Sequence, residues 1–257
     1  MIRLSYCLER FSKAMSRPIA LVTGGGQGIG AATCLRLSKD GYDILLTYNT
    51  SSKPAEMLVD EIRDSGGDAL AVKVNCADEG EVKLLSIHPW MERKIDVLVL
   101  NHGAYNRVAA DQLTIKTLRE TMAVNFEGSV AVWKAIQPHL SNEARMVVVG
   151  SQLGTRGSPH GADYSASKAA LAVWARSLAQ QVGPEGKRVN ILAPGYVDTA
   201  ILAGDSTEKR AQREHEVPLK RVGTPEDMAS TISFLVSPDS SYITGSIIHV
   251  NGGLYLP

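Results

Sequence analysis

The segment Thr23-Gly-Gly-Gly-Gln-Gly-Ile-Gly30 joins the apolar run Ile19–Val22 to a helical pattern over residues 31–39. An apolar run before a glycine-rich loop is typical of a buried strand. Glycines in such a strand–loop–helix unit permit a tight turn, close approach of the backbone to a pyrophosphate, and near contact between helix and strand. The free N–H groups at the helix N-terminus favour the phosphates. Taken alone, the loop is equally compatible with a purely structural turn.

A second motif, Tyr164-Ser-Ala-Ser-Lys168, places a phenol and an ammonium one helical turn apart on the same face. We expect the ammonium to lower the phenol pKa from about 10, so that the phenol exchanges a proton near neutral pH. Ser151 ends the preceding predicted strand, where its hydroxyl is expected to hold a carbonyl or alcohol. An exposed tyrosine over a lysine is the alternative for this pair alone. Together with the glycine loop, the motif favours nucleotide binding.

Strand-like runs alternate with helical patterns from Ile19 onward, which predicts an α/β fold with a doubly wound parallel sheet and helices on both faces. The predicted strands are residues 19–23, 43–48, 69–74, 97–101, 146–151, 189–193 and 247–250. The predicted helices are residues 28–39, 54–65, 79–91, 114–140, 164–182 and 225–236. Pro89 is expected to end or kink the third helix. About seven strands suit a single domain over residues 18–257.

Composition argues against several functional classes. Lys+Arg and Asp+Glu both number 27, so no overall field attracts nucleic acid or an anionic membrane. No apolar run approaches the roughly 18–20 residues of a membrane span. The cysteines, Cys7, Cys34 and Cys76, form no C-x-x-C and indicate a reducing compartment, and the histidines show no metal-ligand spacing. We therefore expect a cytoplasmic protein without a metal site.

Residues 1–17 are expected to form an N-terminal extension outside the fold. They carry basic residues with a single acid and lack the continuous apolar stretch of a secretory signal. They fit a tail, a short organelle-targeting segment, or upstream sequence read from a start that lies at Met15.

The motifs together resemble the short-chain dehydrogenase/reductase family over about residues 18–257. The matches follow the family order: Thr23-Gly-Gly-Gly-Gln-Gly-Ile-Gly30, Asn101-His-Gly103, Asn125, Ser151, Tyr164 with Lys168, Pro194-Gly195 and Thr199. The closing segment from Tyr242 and the loop from Ser151 to Gly157 look most like the 3-oxoacyl-acyl-carrier-protein reductase branch. The resemblance implies a Rossmann-type fold and an NAD(P)(H)-dependent oxidoreductase that interconverts a carbonyl and a secondary alcohol.

The resemblance also implies a role for each site residue. Tyr164 is the general acid in reduction and the base in oxidation, Lys168 lowers its pKa and binds the nicotinamide ribose, and Ser151 positions the carbonyl and stabilises oxyanion charge. Asn125 interrupts its helix and holds a water that relays protons to Lys168. The implied cofactor-binding residues are Thr23, Gly24, Gln27, Gly28, Ile29, Gly30, Tyr48, Asn49, Thr50, Ser51, Asn75, Cys76, Asn101, Gly103, Tyr164, Lys168, Pro194, Gly195, Val197 and Thr199. His102 stands where alanine is usual, and we expect it to pack beside the cofactor, with substrate contact as the alternative.

The end of the second predicted strand favours NADP(H) over NAD(H). NAD-specific relatives place an acid there, whereas this chain has Tyr48 followed by the hydrogen-bonding residues 49–52, with Lys53 near. No carboxylate is present to repel a 2′-phosphate. Gln27, where many NADP-dependent relatives have arginine, leaves NAD(H) open. Asn75 is expected to replace the aspartate that holds the adenine amino group in relatives.

Two substrate classes fit the resemblance. The branch favours a 3-oxoacyl group on acyl-carrier protein, but Asn142 and Glu185 stand at two positions where that branch carries arginines that grip the carrier. Arg107, Arg156 and Lys187 are candidate replacements. A sugar, a polyol or another small ketone or alcohol is the alternative substrate.

A function from another class is a non-catalytic nucleotide-binding regulatory subunit. It predicts loss of Tyr164, Lys168 or Ser151, and all three are present. The family also carries a substrate-covering lid after Pro194-Gly195, so we expect the polar, poorly periodic residues 196–219 to be a mobile lid.

The resemblance further implies a homotetramer built on the long helices before and after the Ser151 strand. Trp133 and Trp174 are candidate contacts, with ordinary core packing as the alternative, and residues 254–257 are expected to add to an interface.

Overall fold

The computed structural model describes residues 17–257, in which seven parallel strands form one sheet. The strands are β1 (Ile19–Val22), β2 (Asp43–Tyr48), β3 (Ala69–Lys73), β4 (Ile95–Leu100), β5 (Leu140–Val149), β6 (Arg188–Pro194) and β7 (Ile247–Val250). Their order across the sheet is β3-β2-β1-β4-β5-β6-β7, and every neighbouring pair is parallel. The predicted doubly wound α/β fold is confirmed.

Helices cover both faces of this sheet. They are α1 (Gly28–Lys39), α2 (Ser52–Asp64), α3 (Glu79–Ser86), α4 (Ile115–Met122), α5 (Gly128–Ile136), α6 (Leu153–Arg156), α7 (Ala162–Val182), α8 (Thr207–Glu216) and α9 (Pro225–Val236). Buried side chains of α1, α2 and α9 form one core with Val97 and Val99 of β4, whereas α3, α5 and α7 form the other core with Leu98 and Leu100. Because both faces are buried, β4 is apolar at every one of these positions. Within residues 17–257, no helix is both long enough and apolar enough to cross a membrane.

The long helix predicted over residues 114–140 is divided in the structure. α4 ends at Met122, a π-helical turn covers Ala123–Glu127, and α5 follows. The expected interruption at Asn125 is therefore present. Pro138 lies in a short 3₁₀ turn after α5 and cannot continue an α-helical hydrogen-bond ladder. β5 begins directly after this turn, at Leu140 and not at the predicted residue 146.

α8 has no counterpart in the sequence-based prediction for residues 196–219, which we call the lid segment. The helix has no buried residue, so no apolar stripe marks it in the sequence. Its local signal is the N-cap, where the Ser206 hydroxyl accepts a hydrogen bond from the Lys209 backbone N–H at 3.2 Å. At α3 the prediction was closer, because that helix ends at Ser86 and Pro89 begins a 3₁₀ turn.

Arg17 belongs to the fold, which corrects the boundary of the predicted extension. Its guanidinium donates hydrogen bonds to the carbonyls of Gly41 at 3.0 Å and Gly66 at 3.2 Å, and also contacts the Ser38 carbonyl. These bonds hold the residue before β1 against the turns that follow α1 and α2. The rest of the predicted extension, residues 1–16, lies outside the described residues.

The order of the strands places a cleft between β1 and β4. β2 and β3 are added on one side of β1, whereas β4 to β7 are added on the other, so the loops after β1 and β4 diverge. Ligands of such sheets bind at this point, beyond the carboxyl ends of the strands. Glycine at position 30 lets α1 lie against the loop, because a Cβ there would stand 2.2 Å from the Gly24 oxygen and 2.6 Å from Asn101 Nδ2.

We expect Gly30→Ala to destabilise the protein by about 2 kcal/mol or more, since the added methyl group meets backbone that has no room to move. Gly183→Ala is the matched control, because a Cβ at Gly183 meets nothing within 4 Å and its φ is −57°. Urea unfolding of both variants measures the difference. Equal free energies of unfolding would contradict the packing argument.

Candidate active site

A cavity of about 700 Å³ opens at the carboxyl ends of β1, β4, β5 and β6. The predicted site residues line this cavity, with the exception of Thr23, Gly30 and Asn125. Those three residues lie behind the residues that line the cavity. The cavity extends from the end of β2 to the lid segment, so it brings the glycine loop, the Ser151 strand and α7 together.

The glycine loop is fastened to the end of β4. Gly24 and Gly28 adopt φ values of +61° and +52°, a left-handed conformation that favours glycine. Asn101 Nδ2 donates hydrogen bonds to the carbonyls of Thr23 at 3.1 Å and Gly24 at 3.0 Å, and the Asn101 N–H donates to Thr23 Oγ1 at 3.0 Å. Thr23 and Asn101 therefore hold two diverging strand ends at a fixed separation.

The end of the cavity beside β2 is polar and uncharged. It is lined by residues 48–51, and the Ser51 hydroxyl donates to Gln27 Oε1 at 3.3 Å. No charged side chain of the described residues lines this end, and Lys53, expected near it, is not among the lining residues. Asn75 also lines the cavity, and its side-chain oxygen accepts a hydrogen bond from the Ala77 N–H at 3.1 Å.

Three side chains converge at the other end. Ser151 follows β5, and its Oγ accepts a hydrogen bond from the Leu153 N–H at 3.1 Å, which orients the hydroxyl. Tyr164 and Lys168 extend from α7, and Lys168 Nζ donates to the Val149 carbonyl at 2.8 Å and lies 5.7 Å from the centre of the Tyr164 ring. A carbonyl or alcohol in the cavity would thus meet a hydroxyl and a phenol, with an amine behind them.

Burial, and not the ammonium, dominates the pKa of Tyr164, which corrects the expectation from sequence. Loss of hydration raises this pKa to about 12, the Ser151 hydroxyl opposes the rise, and Tyr105 adds to it. Burial also lowers the pKa of Lys168 to about 8. The described structure therefore keeps the phenol protonated at neutral pH and makes the amine easier to deprotonate.

Asn125 is fully buried in the π-helical turn and binds the loop after β4. Its Oδ1 accepts a hydrogen bond from the Ala104 N–H at 2.7 Å, and its Nδ2 donates to the Ala104 carbonyl at 2.9 Å and to Ser167 Oγ at 3.0 Å. The side chain is thus committed to positioning this loop against α7. The proton relay through a water stays a prediction.

His102 lies between two elements and also lines the cavity. Its Nδ1 stands 2.7 Å from Thr23 Oγ1, and its Nε2 stands 3.4 Å from Ser129 Oγ. The expectation that it packs beside the cofactor space is compatible with this position.

Tyr105 is a wall of the cavity that sequence reasoning missed. Its ring centre lies 4.6 Å from that of Tyr164, and its hydroxyl donates to the His160 carbonyl at 2.9 Å. The tyrosine thus connects the loop after β4 to the segment before α7, directly beside the phenol. Its place two residues after Gly103 was the available signal.

The lid segment is tied across the mouth of the cavity by one carboxylate. Arg107 donates to Asp205 Oδ1 at 3.2 Å and to the Ile201 carbonyl at 3.0 Å, and Arg213 contacts Asp205 Oδ2 at 2.5 Å. Hydrogen bonds from Arg213, and more weakly from Arg107, hold the pKa of Asp205 below its usual value. Arg213 also stacks over Tyr196, with 4.5 Å between the guanidinium carbon and the ring centre.

Metal ligands are not grouped in the described part of the chain. No set of three or more His, Cys, Asp or Glu side chains there is placed to hold a metal ion. Cys76, which the resemblance places among the cofactor-binding residues, lines the cavity, and burial raises the pKa of its thiol to about 12, so it stands there as an uncharged group.

A doubly wound parallel sheet with a glycine loop at its switch point and a Ser–Tyr–Lys set beside it defines a dinucleotide-dependent oxidoreductase. The profile of the family Enoyl-(Acyl carrier protein) reductase matches residues 24–255. The chain is 32% identical to the 3-oxoacyl-[acyl-carrier-protein] reductase FabG of Staphylococcus aureus, over 92% of this chain and 98% of that protein.

Solved structures agree with this assignment. A short-chain dehydrogenase from Burkholderia cenocepacia in complex with NADP has a TM-score of 0.87 at 35% identity, over 93% of this chain and 98% of that one. A blue fluorescent protein from a metagenomic library, in complex with NADPH, has a TM-score of 0.88 at 32% identity, over 94% and 99%. The chain belongs to the short-chain dehydrogenase/reductase family of oxidoreductases.

Stability should depend on pH through Lys168, which is 3% exposed. Its pKa is about 8 in the folded protein against an ordinary 10.5, so between these values the unfolded chain binds more protons than the folded one. The free energy of unfolding therefore rises with pH across this window. We expect the wild type to gain on the order of 2 kcal/mol relative to Lys168→Met from pH 7.5 to 10. Urea titrations at both pH values measure the gain, and parallel pH curves would contradict a buried, ionisable amine.

Proposed function

We propose that this protein is an NADP(H)-dependent reductase that interconverts a 3-oxoacyl thioester and the corresponding 3-hydroxyacyl thioester. The observation that carries the proposal is the convergence of Ser151, Tyr164 and Lys168 on the same cavity as the glycine loop. The activity printed for the Staphylococcus aureus relative and the NADP and NADPH of the solved neighbours support it.

The cavity fits a dinucleotide. The backbone at Gly28 approaches Thr199 so closely that a Cβ there would lie 3.2 Å from Thr199 Cγ2, which makes a narrow cradle beside the N-terminus of α1. Residues 48–51 would hold the adenosine end, and Lys168 and Thr199 would hold the nicotinamide end. When bound, the nicotinamide supplies or accepts a hydride.

The residues of this chain manage the proton. In reduction, Tyr164 gives its phenolic proton to the carbonyl oxygen, and the Ser151 hydroxyl donates a hydrogen bond to the same oxygen. Because burial keeps the phenol protonated, Tyr164 is ready as an acid at neutral pH. Lys168, with a pKa of about 8, is mostly protonated there and stabilises the phenolate that proton transfer leaves.

NADP(H) is favoured over NAD(H) by the uncharged end of the cavity. A carboxylate beside β2 would repel a 2′-phosphate, and none lines this end. The hydroxyls of Thr50 and Ser51, the amides of Gln27 and Asn49 and the first N–H groups of α2 can donate hydrogen bonds to the phosphate oxygens.

Recognition of the acyl group is proposed to occur inside the cavity. Asn142 is exposed and neutral, Glu185 pairs with Lys187, and Arg107 pairs with Asp205, so two of the three candidate cations are bound to carboxylates of the same chain. This commitment weakens the case for an acidic carrier protein held by surface charge. It favours a thioester that is recognised through its acyl end inside the cavity, and it keeps a small ketone or polyol as the second candidate.

Steady-state kinetics separate these substrates. The proposal expects the highest kcat/KM for a 3-oxoacyl-coenzyme A among carrier-linked thioesters, coenzyme A thioesters, sugars and simple ketones. NADPH binding without turnover across the whole panel would support a regulatory subunit instead.

We also propose a homotetramer that uses α5 and α7. The rings of Trp133 and Trp174 meet edge to face, with centres 6.1 Å apart, and Val173 of α7 is 61% exposed. An exposed apolar side chain beside these aromatic residues is compatible with a helix–helix interface.

Tyr164→Phe should lower kcat by about 10³-fold or more, because the phenyl ring retains the packing and lacks the proton. NADPH binding, followed by fluorescence, should stay within about twofold of the wild type. Tyr242→Phe serves as the control, since Tyr242 is fully exposed. Wild-type turnover in Tyr164→Phe would remove this residue from the mechanism.

Asn49→Asp should shift cofactor preference toward NADH, because it adds a charge with almost no change in size. We expect KM for NADPH to rise by about tenfold or more and KM for NADH to stay within about twofold. Gln112→Glu is a matched amide-to-acid change at an exposed position outside the cavity. An unchanged ratio of kcat/KM for the two cofactors would count against a 2′-phosphate beside Asn49.

A further inference from the structure

His102 departs from the family pattern, where alanine is usual, and its ring has partners on both sides. Nδ1 lies 2.7 Å from the hydroxyl of Thr23 at the end of β1, and Nε2 lies 3.4 Å from the hydroxyl of Ser129 in α5. The Thr23 hydroxyl has a second acceptor in the Val99 carbonyl, at the longer distance of 3.3 Å.

These partners determine which ring nitrogen carries the hydrogen. The Ser129 hydroxyl gives its hydrogen to a backbone carbonyl, so Nε2 carries the ring hydrogen and donates it to Ser129 Oγ. Nδ1 is then the acceptor, and the Thr23 hydroxyl donates to it. The Ser129 hydroxyl donates in turn to the Asn125 carbonyl at 3.1 Å. A directed series of hydrogen bonds therefore runs from Thr23 through His102 and Ser129 to Asn125.

The ring stays neutral at the pH values at which enzymes are assayed. Burial lowers the pKa of His102 to about 3, and Lys168 is the charged group that lowers it further. The groups that face the ring from β1, the π-helical turn and α5 are uncharged. The direction of the hydrogen bonds is therefore constant from about pH 5 to 9.

The far end of this series leads to the reacting groups. The Asn125 side chain donates to Ser167 Oγ at 3.0 Å, and Ser167 Oγ donates to the Tyr164 carbonyl at 2.7 Å. Gly103, the residue after the imidazole, fits between two site groups: a Cβ there would lie 3.2 Å from Asn125 Oδ1 and 3.4 Å from Lys168 Nζ. A displacement of the loop at His102 would therefore change the packing around the Lys168 ammonium.

We propose that His102 is a positioning residue for proton transfer, which holds the π-helical turn and the loop 102–104 against Lys168 through hydrogen bonds to Thr23 and Ser129. The proposal rests on the carbonyl reductase activity proposed above. His102 acts through Asn125 and Lys168 and takes no part in bond making.

His102→Leu removes both hydrogen bonds and keeps an apolar side chain in the space, whereas His102→Gln retains an N–H that can reach Ser129. We expect His102→Leu to lower kcat by about tenfold with KM for the carbonyl substrate within about twofold, and His102→Gln to recover most of kcat. In His102→Leu, a loosened loop admits water to Lys168 and raises the pKa of the amine, so the alkaline limb of the kcat profile should move to higher pH than in the wild type. His139→Leu is the control. His139 lies just before β5, at the amino-terminal ends of the strands and away from the cavity, and the substitution removes its contact with the Met91 carbonyl.

Wild-type kcat and an unmoved alkaline limb in His102→Leu would overturn the proposal. If that variant does not fold, Ser129→Ala breaks the same series beside an intact imidazole, and it should move the limb in the same direction; an unmoved limb there would equally overturn it.

A measurement on the holoenzyme separates this inference from the proposed function. In ¹⁵N NMR of the NADPH-bound protein, His102 should show a neutral ring protonated at Nε2 from pH 5 to 9. A ring that ionises in this range, or one protonated at Nδ1, would refute the proposed positioning role of His102 even in an active reductase. A wild-type protein without carbonyl reduction would refute the proposed function, whereas the NMR signal would still show whether His102 makes the proposed hydrogen bonds to Thr23 and Ser129.

Discussion

Asn101 joins the two halves of the sheet where they diverge, and the site depends on that connection. Its amide donates to two consecutive carbonyls of the loop after β1, while its backbone N–H donates to Thr23. The same amide is one of the three groups that a side chain at Gly30 would meet. The loop after β1, the start of α1 and the end of β4 are thus closely packed against one another. The distance between the glycine loop and the Ser151 strand therefore cannot change without breaking several hydrogen bonds.

Burial acts on the two titrating groups of α7 in opposite directions. It raises the pKa of Tyr164 to about 12 and lowers the pKa of Lys168 to about 8, so it favours the neutral form of both groups. The spacing of the two residues on the helix alone does not indicate this effect. Lys168 Nζ lies 5.7 Å from the centre of the Tyr164 ring and donates a hydrogen bond to the Val149 carbonyl. This arrangement explains why the ammonium does not determine the pKa of the phenol. Proton affinity in this site is therefore governed first by how much water reaches it, which makes the elements that close the cavity part of its acid–base chemistry.

The parts of the fold that follow from hydrophobic periodicity were predictable, and those that depend on a single tertiary contact were not. β4 is apolar on both faces, and this property alone indicates a central strand. The π-helical turn, in contrast, is accompanied by the bonds of Asn125 to Ala104, a residue on another loop, and no local pattern marks its length. α8 has no buried residue, so its sequence has no apolar stripe to detect. Arg17 was placed outside the fold for a similar reason, because its hydrogen bonds go to backbone carbonyls, which have no sequence signature.

The same reasoning separates what was predictable in the site from what was not. Family motifs identify Ser151, Tyr164 and Lys168, because the chemistry constrains residue type. The surface cations were a weaker guide, since Arg107 is equally suited to a carrier protein or to Asp205, and only the tertiary structure shows that it binds Asp205. With that arginine and Arg213 joined to one nearly buried carboxylate, the positive charge at the cavity mouth serves first to hold the lid segment. The wall nearest the phenol is Tyr105, whose ring centre lies 4.6 Å from that of Tyr164. A wall of this kind discriminates by shape and length more than by charge, which is the behaviour expected of a pocket for an acyl chain.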